Sequence, residues 1–405
     1  MTYSHLARAN DLEPADGHHH LLDECPYHRE ESFDPPFYVV SRHADVLAML
    51  LEPEQWRNGD GPGVFTQRGG VLGSADDPDH RRQRKVLQDG FRPAAIAALT
   101  PRVDRIGHEL WAQSFSNDGE GDFVRLFAFP FPAIVIAEML GVHPDDREHF
   151  GEWSDDIVNG LGGGDLSLVQ RAMEGIHGIV GGLVAERRRA IENGVEPPDD
   201  LTTVLTRAHL AGELSYGEVQ QLCQQILVAG HETTASLIGL MLYRLATQPE
   251  LASRLRAEPD LVPQAVEEFL RFDSPVQGLF RTNAECCPLG DHDLPSGTKV
   301  QLLFAAANRD PRVWDDPDTI RPIVSPKVGV LIWLSDGAFT TASATPWRVT
   351  RHSSPSAECS TRSRPSRSSG PFASTSRSFC AASRRCRFAG RCTRRPPGRT
   401  VRFGP

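Results

Sequence analysis

Ala229-Gly230-His231-Glu232-Thr233-Thr234 lies in the middle of a proline-free stretch from Ser215 to Thr247, and the reading of that stretch decides the fold. Leu214-Ser215-Tyr216-Gly217-Glu218 opens it with a Ser followed three residues later by a Glu. That is the pattern of a capping box, in which each side chain satisfies the other residue's free backbone N–H. The spacing predicts one helix of about thirty residues, which at about 1.5 Å per residue crosses a whole domain and belongs at its centre. The helix weakens itself half-way. Gly230 costs roughly 1 kcal/mol against Ala in a helix interior. Thr233 and Thr234 are β-branched, and their hydroxyls can bond back to the i−4 carbonyl. A turn widened in this way can admit a water or a ligand. By themselves the six residues also suit a plain buried helix with a tolerated Gly and satisfied hydroxyls.

Further helical patterns run from Arg42 to Leu51, from Asp79 to Leu99, from Ile134 to Leu140 before Gly141, and from Leu261 to Phe272 before Pro275. Lys299 to Phe304 reads as a strand. The fold class is mainly α with small β-sheets. After about Lys327 the helical periodicity stops. Ser353 to Pro405 is built from Ser, Arg, Pro, Ala, Gly and Thr, a composition that buries too little apolar surface to order itself.

The 405 residues are 39% hydrophobic and 24% charged, as expected of a soluble globular chain with room for a large core. No apolar run approaches the length of a bilayer span. Met1 to Asp16 lacks the pattern of a secretory leader, so the expectation is a cytoplasmic protein without a membrane partner. The eight cysteines show no CxxC pair and no metal-ligand spacing. The net charge of −10 hides a split: the last 69 residues hold 14 Arg, no Lys and one acid, Glu358. A body of −23 therefore carries a tail of +13. An acidic body argues against nucleic acid as its main partner.

Two more motifs stand apart from the helix. Asp77-Pro78-Asp79-His80-Arg81-Arg82-Gln83-Arg84 places His80 and Arg84 at i and i+4 on one helical turn. Two such groups suit an anion, because charge-assisted bonds to carboxylate are strong; a solvated basic face has the same pattern. Glu268-Phe269-Leu270-Arg271 places a carboxylate and a guanidinium at i and i+3. Alone it reads equally as an exposed pair worth a few tenths of a kcal/mol. Ser274-Pro275-Val276-Gln277-Gly278-Leu279-Phe280-Arg281 follows it, then Leu294 to Val300 and Ala307-Asn308-Arg309-Asp310-Pro311.

In this order and at these distances, the motifs resemble those of the cytochrome P450 family, over about residues 20 to 319. The resemblance implies the single large cytochrome P450 fold over residues 1–322, truncated at its C-terminal end. It implies haem b (iron protoporphyrin IX), with Ala229 and Gly230 letting the central helix approach the porphyrin. Glu232 would relay protons and Thr233 would hydrogen-bond iron-bound dioxygen. His80, Arg84 and Arg281 would hold the propionates, and Glu268 and Arg271 would brace the core. Val276 and Leu279 would face a small organic substrate. The activity implied is insertion of one oxygen atom of O2, in a monomer. Its electrons would come from NAD(P)H through a ferredoxin and a ferredoxin reductase.

One element of the family is absent. The iron needs a thiolate from a loop of the form Phe-Gly-x-Gly-x-His-x-Cys-x-Gly. No cysteine occurs between Cys287 and Cys359, and Cys359 has no glycine frame, so no metal ligand is assigned. The genetic code points to a reason. Phe339-Thr340-Thr341-Ala342 can be TTC-ACC-ACT-GCC, and the third base of each codon with the first two of the next gives CAC-CAC-TGC, His-His-Cys. Carried from Ile332 to Arg348, the same shift gives Leu-Ala-Phe-Gly-Trp-Gly-Ile-His-His-Cys-Leu-Gly-His-Ala-Leu-Ala. The expectation is a frameshift between about Asp318 and Lys327, with residues 323–405 an out-of-frame, disordered Arg/Ser/Pro-rich tail and the chain as written inactive. Three alternatives remain open: a pseudogene product, a substrate-binding protein without haem, and a genuine basic tail for an acidic partner.

Overall fold

The computed structural model describes residues 17–321, apart from 116–120 and several positions between 148 and 165. The expected out-of-frame tail lies outside the described residues. In chain order the elements are α1 (Gly17–Asp23), β1 (Tyr27–Glu30), β2 (Phe37–Val40), α2 (His43–Leu51), β3 (Trp56–Arg57), α3 (Asp79–Gln88), α4 (Pro93–Phe115) and α5 (Pro130–Leu140). There follow α6 (Leu166–Glu192), α7 (Leu201–Leu210), α8 (Tyr216–Thr247), α9 (Pro249–Ala257) and α10 (Val262–Asp273). The described part closes with β4 (Leu279–Asn283), β5 (Cys287–Leu289), β6 (His292–Leu294), β7 (Lys299–Leu302) and the short α11 (Phe304–Ala307).

The central helix forms as its sequence dictates. The Glu218 N–H donates to Ser215 Oγ at 3.2 Å, and the Ser215 N–H donates to Glu218 Oε2 at 2.8 Å, so the capping box is complete. The helix packs against α5, α6, α7, α9 and α10. It is also long and apolar enough to cross a bilayer, which corrects the expectation that no stretch is. His231 and Glu232 interrupt the apolar residues and hide the length of the run in the sequence.

Two other expectations shift. The helix read from Asp79 to Leu99 is two, separated by a 3-10 turn at Asp89–Phe91. A Cβ at Gly90 would run into Leu201, and Pro93 has no N–H and starts a fresh helix. The strand read from Lys299 to Phe304 stops at Leu302, because the Leu303 N–H turns to Val40 O (2.9 Å) and Phe304 begins α11.

The five-stranded sheet runs β1-β2-β7-β4-β3. Its only parallel pair joins β2 to β7, with Val40 opposite Leu302, so the two ends of the described chain meet there. One core cluster fills the helical part, with Leu87, Leu140, Ile176, Leu205, Leu222 and Leu227 fully buried. Each contributes about 1.5–3 kcal/mol. A second cluster, including Val40, Val46, Leu302 and Phe304, packs the sheet against α2.

Candidate functional site

The weakened turn of α8 is a packing device on one side and an open face on the other. The missing Cβ of Gly230 lets α8 approach α5: one built there would lie 2.9 Å from Ile136 Cδ1. Thr233 Oγ1 donates to Ala229 O at 2.8 Å, the i−4 bond its position allows. His231 is fully buried and its Nε2 meets Phe129 O at 2.7 Å, tying α8 to the start of α5. Ala229 and Thr233 are half-buried and Glu232 is exposed. The two faces of the sextet thus diverge: Gly230 and Thr234 line an inner cavity, and Glu232 looks outward.

His80 and Arg84 lie on α3, whose inward residues are Gln83 and Leu87. His80 Nδ1 is 3.6 Å from Asp77 Oδ1, and Arg84 is exposed. The residues between them hold α3 to the cap of α8. Gln83 Nε2 donates to Glu218 Oε1 at 3.0 Å, Arg82 Nη2 donates to the same oxygen at 2.5 Å, and Gln83 Oε1 accepts the Leu72 N–H at 2.8 Å. Burial pushes the Glu218 carboxyl up, but the bonds from Arg82, the Ser215 N–H and Gln83 outweigh it and hold the group down at about 2. The sequence marked Glu218 only as a cap.

The Glu268/Arg271 pair is buried, at 7% and 3% exposure, so the exposed reading of the motif does not apply. Arg271 donates from Nε to Glu268 Oε2 and from Nη2 to Oε1, both at 2.8 Å. The pair also reaches forward. Arg271 Nη1 donates to Asn308 O (3.0 Å) and Pro317 O (2.9 Å), Nη2 donates to Thr319 O (3.2 Å), and Glu268 Oε1 accepts the Arg321 N–H (2.8 Å). Arg309 adds a second tie, from Nε to Phe272 O and from Nη1 to Asp318 Oδ1. Sequence reading missed Arg309 as a brace. Its signal was the Asn308-Arg309-Asp310-Pro311 run itself, four turn-forming or charged residues directly after an apolar strand.

Val276 and Leu279 are half-buried and pack on the sheet and α2 cluster. Arg281 is 3% exposed, pairs across β4 and β7 with Val300, and donates from Nη1 to Phe280 O at 3.0 Å. Its charge and burial together lower the basicity of Lys299, burial being the larger effect, and Lys299 Nζ donates to Asp60 O and Gly61 O. The printed bonds of His80, Thr233 and Arg281 go to three separate neighbourhoods and do not join them into one cluster.

The donors present fit part of a haem. A buried arginine and a His/Arg turn suit propionates, and a Gly-containing helix suits a flat ring. They do not fit the iron. Among the described residues the free cysteines are Cys25, Cys223, Cys286 and Cys287. Cys223 is wholly buried inside α8, and burial pushes its thiol up to about 12, so it stays protonated. Cys25 follows α1, and Cys286 and Cys287 sit at the β4–β5 turn, none of them in a glycine-framed loop. No group of three or more His, Cys, Asp or Glu is placed to hold a metal among the described residues. No reaction step can be routed through an iron in this chain.

The comparisons with known proteins agree with the motifs. The profile of the cytochrome P450 family matches residues 36–322. Cytochrome P450 107B1 of Saccharopolyspora erythraea is 34% identical over 69% of this chain and 71% of its own length. Vitamin D(3) 25-hydroxylase of Pseudonocardia autotrophica is 35% identical over 74% of each chain. Among solved structures, cytochrome P450 CYP109Q5 from Chondromyces apiculatus superposes with a TM-score of 0.68 at 32% identity, over 78% of this chain and 79% of that one.

Proposed function

Because the chain belongs to the cytochrome P450 family of oxidoreductases, we propose that it is the framework of a haem-dependent monooxygenase whose reading frame shifts near residue 322, and that as written it is inactive. The observation that carries this is the sequence at the junction. The braced, in-family part runs to Arg321, held by Glu268. Beyond it the recorded frame holds no loop cysteine, and the shifted frame yields Phe-Gly-Trp-Gly-Ile-His-His-Cys-Leu-Gly. Residues 323–405 are then an accident of GC-rich DNA, which accounts for their 14 arginines and absence of lysine.

The roles implied for Glu232, Thr233, His80, Arg84, Arg281, Val276 and Leu279 belong to the frame-restored protein. So do the small organic substrate, O2 and the supply of electrons from NAD(P)H through a ferredoxin and its reductase. In this chain the same residues support only the fold.

Two measurements test the proposal. Resequencing codons 310 to 350 of the source DNA decides between a recording error and a genuine shift. A missing or extra base restores an ordinary monooxygenase, and unchanged bases leave a relic. The purified 405-residue chain, reduced and exposed to CO in the presence of haem, should give no thiolate-type absorption band. Such a band would overturn the assignment of inactivity.

A further inference from the structure

Helices α4, α5 and α8 enclose an apolar groove on three sides. Its inner part is a cavity of about 180 Å³ reaching Gly230 and Thr234 on α8. Thr100, Val103 and Phe131 line both this cavity and an outer groove of about 510 Å³ that extends to Trp111 and Phe127. On α4 the lining residues Thr100, Val103, Gly107 and Trp111 recur at helical spacing along one face. That face is not used by the core: Leu99 and Ile106 are the buried positions among the described residues of α4. Trp111 is 46% exposed although its ring packs 5.5 Å from Phe127, and Phe127 packs 5.2 Å from Phe131. An apolar trough as long as three helical turns, walled by three helices, has the shape that a fourth helix fills in a bundle.

The chain's own bases encode a helix that fits. The shift described above, carried past Trp347, gives an apolar residue at the codon junctions 352/353, 353/354, 355/356, 359/360 and 362/363 when each serine is a TCN codon. The junction Glu358–Cys359 gives Met or Val whatever the codons, since Glu ends in A or G and Cys begins TG. At about 100° per residue, five of these six positions fall within about 120° of the helix circumference. The junctions 349/350 and 360/361 give only Asp, Asn, His or Tyr, and they fall on the opposite side.

We propose that the groove between α4, α5 and α8 is the seat of one amphipathic helix, the one encoded in the shifted frame across codons 346 to 363, and that the chain captures this helix when it is supplied as a separate peptide. The proposal rests on the frameshift reading, and the two fail separately. Sequencing decides whether the true bases encode the apolar stripe; titration decides whether the groove takes a helix.

The experiment uses the full 405-residue chain and a synthetic peptide covering codons 339 to 365 as the shifted frame reads them. Saturable binding in calorimetry is expected, with a thermal midpoint that rises with peptide concentration. Gly107→Trp should weaken binding at least tenfold, because it fills the trough beside Phe131, where a Cβ already lies 3.4 Å from Cε2. A scrambled peptide of the same composition leaves the chain untouched and should not bind. Equal binding by the scrambled peptide, or by a folded Gly107→Trp chain, would overturn the proposal. So would self-association of the chain that the peptide does not reverse. If the chain alone is recovered only as aggregate, co-expression with the peptide segment should raise its soluble yield, and no gain counts against the groove.

Discussion

All three guanidinium nitrogens of Arg271 donate, two of them to Glu268 and the rest of their capacity to carbonyls at 308, 317 and 319. Breaking one member of such a buried pair strands the other charge, at about 3–5 kcal/mol. Arg271→Ala should therefore lower the unfolding free energy by that much in urea titration. Arg271→Lys should recover only a fraction, because an ammonium cannot reproduce the planar fork. Glu218 is the other residue whose chemistry is measurable. Its carboxyl titrates at about 2, below the ordinary 4.5. A depressed carboxylate stabilises the fold fully above its unfolded pKa and loses that contribution as pH falls towards the folded one. Acid unfolding between about pH 4.5 and 2 should thus steepen with Glu218 present and flatten in Glu218→Gln. Arg271 was legible as a motif, but its burial was not, since i, i+3 spacing is the same for an exposed pair. The second use of Glu218 was invisible, because Arg82 and Gln83 lie more than a hundred residues away.

At the scale of elements, Gly141 shows how a stop signal also shapes packing. It ends α5 at φ 74°, the left-handed region. A Cβ there would collide with the Asp200 carboxylate, which also forms a buried ion pair with Arg187 at 2.9 Å. Gly141→Ala should cost more than the about 1–2 kcal/mol of the backbone alone, read as a lowered urea midpoint with unchanged helix content. The Gly stop and the long helix from Ser215 were legible because each depends on neighbours in sequence. The break between α3 and α4 was not, because Gly90 meets Leu201, a residue supplied by α7. The faces of the 229–234 sextet were likewise closed to sequence reading. Whether Gly230 serves a ligand or a neighbouring helix depends on Ile136, and the periodicity of α8 does not name its neighbour.

At the scale of the molecule, the parallel pairing of β2 with β7 has a consequence in time. Val40 finds Leu302 only after the 262 residues between them have been made. At about 5–20 residues per second, that is a wait of about 13–50 s for a strand with one unpaired edge. During the wait the β1–β2 ribbon presents Phe37, Val39 and Val40, all of them buried in the finished sheet, as a template for other chains. The ribosome reaches the shifted codons only after every strand of this sheet has been synthesised. Chaperones that follow the nascent chain meet an ordinary member of its family until its last moments on the ribosome, and quality control can act on the fault only once synthesis is almost over.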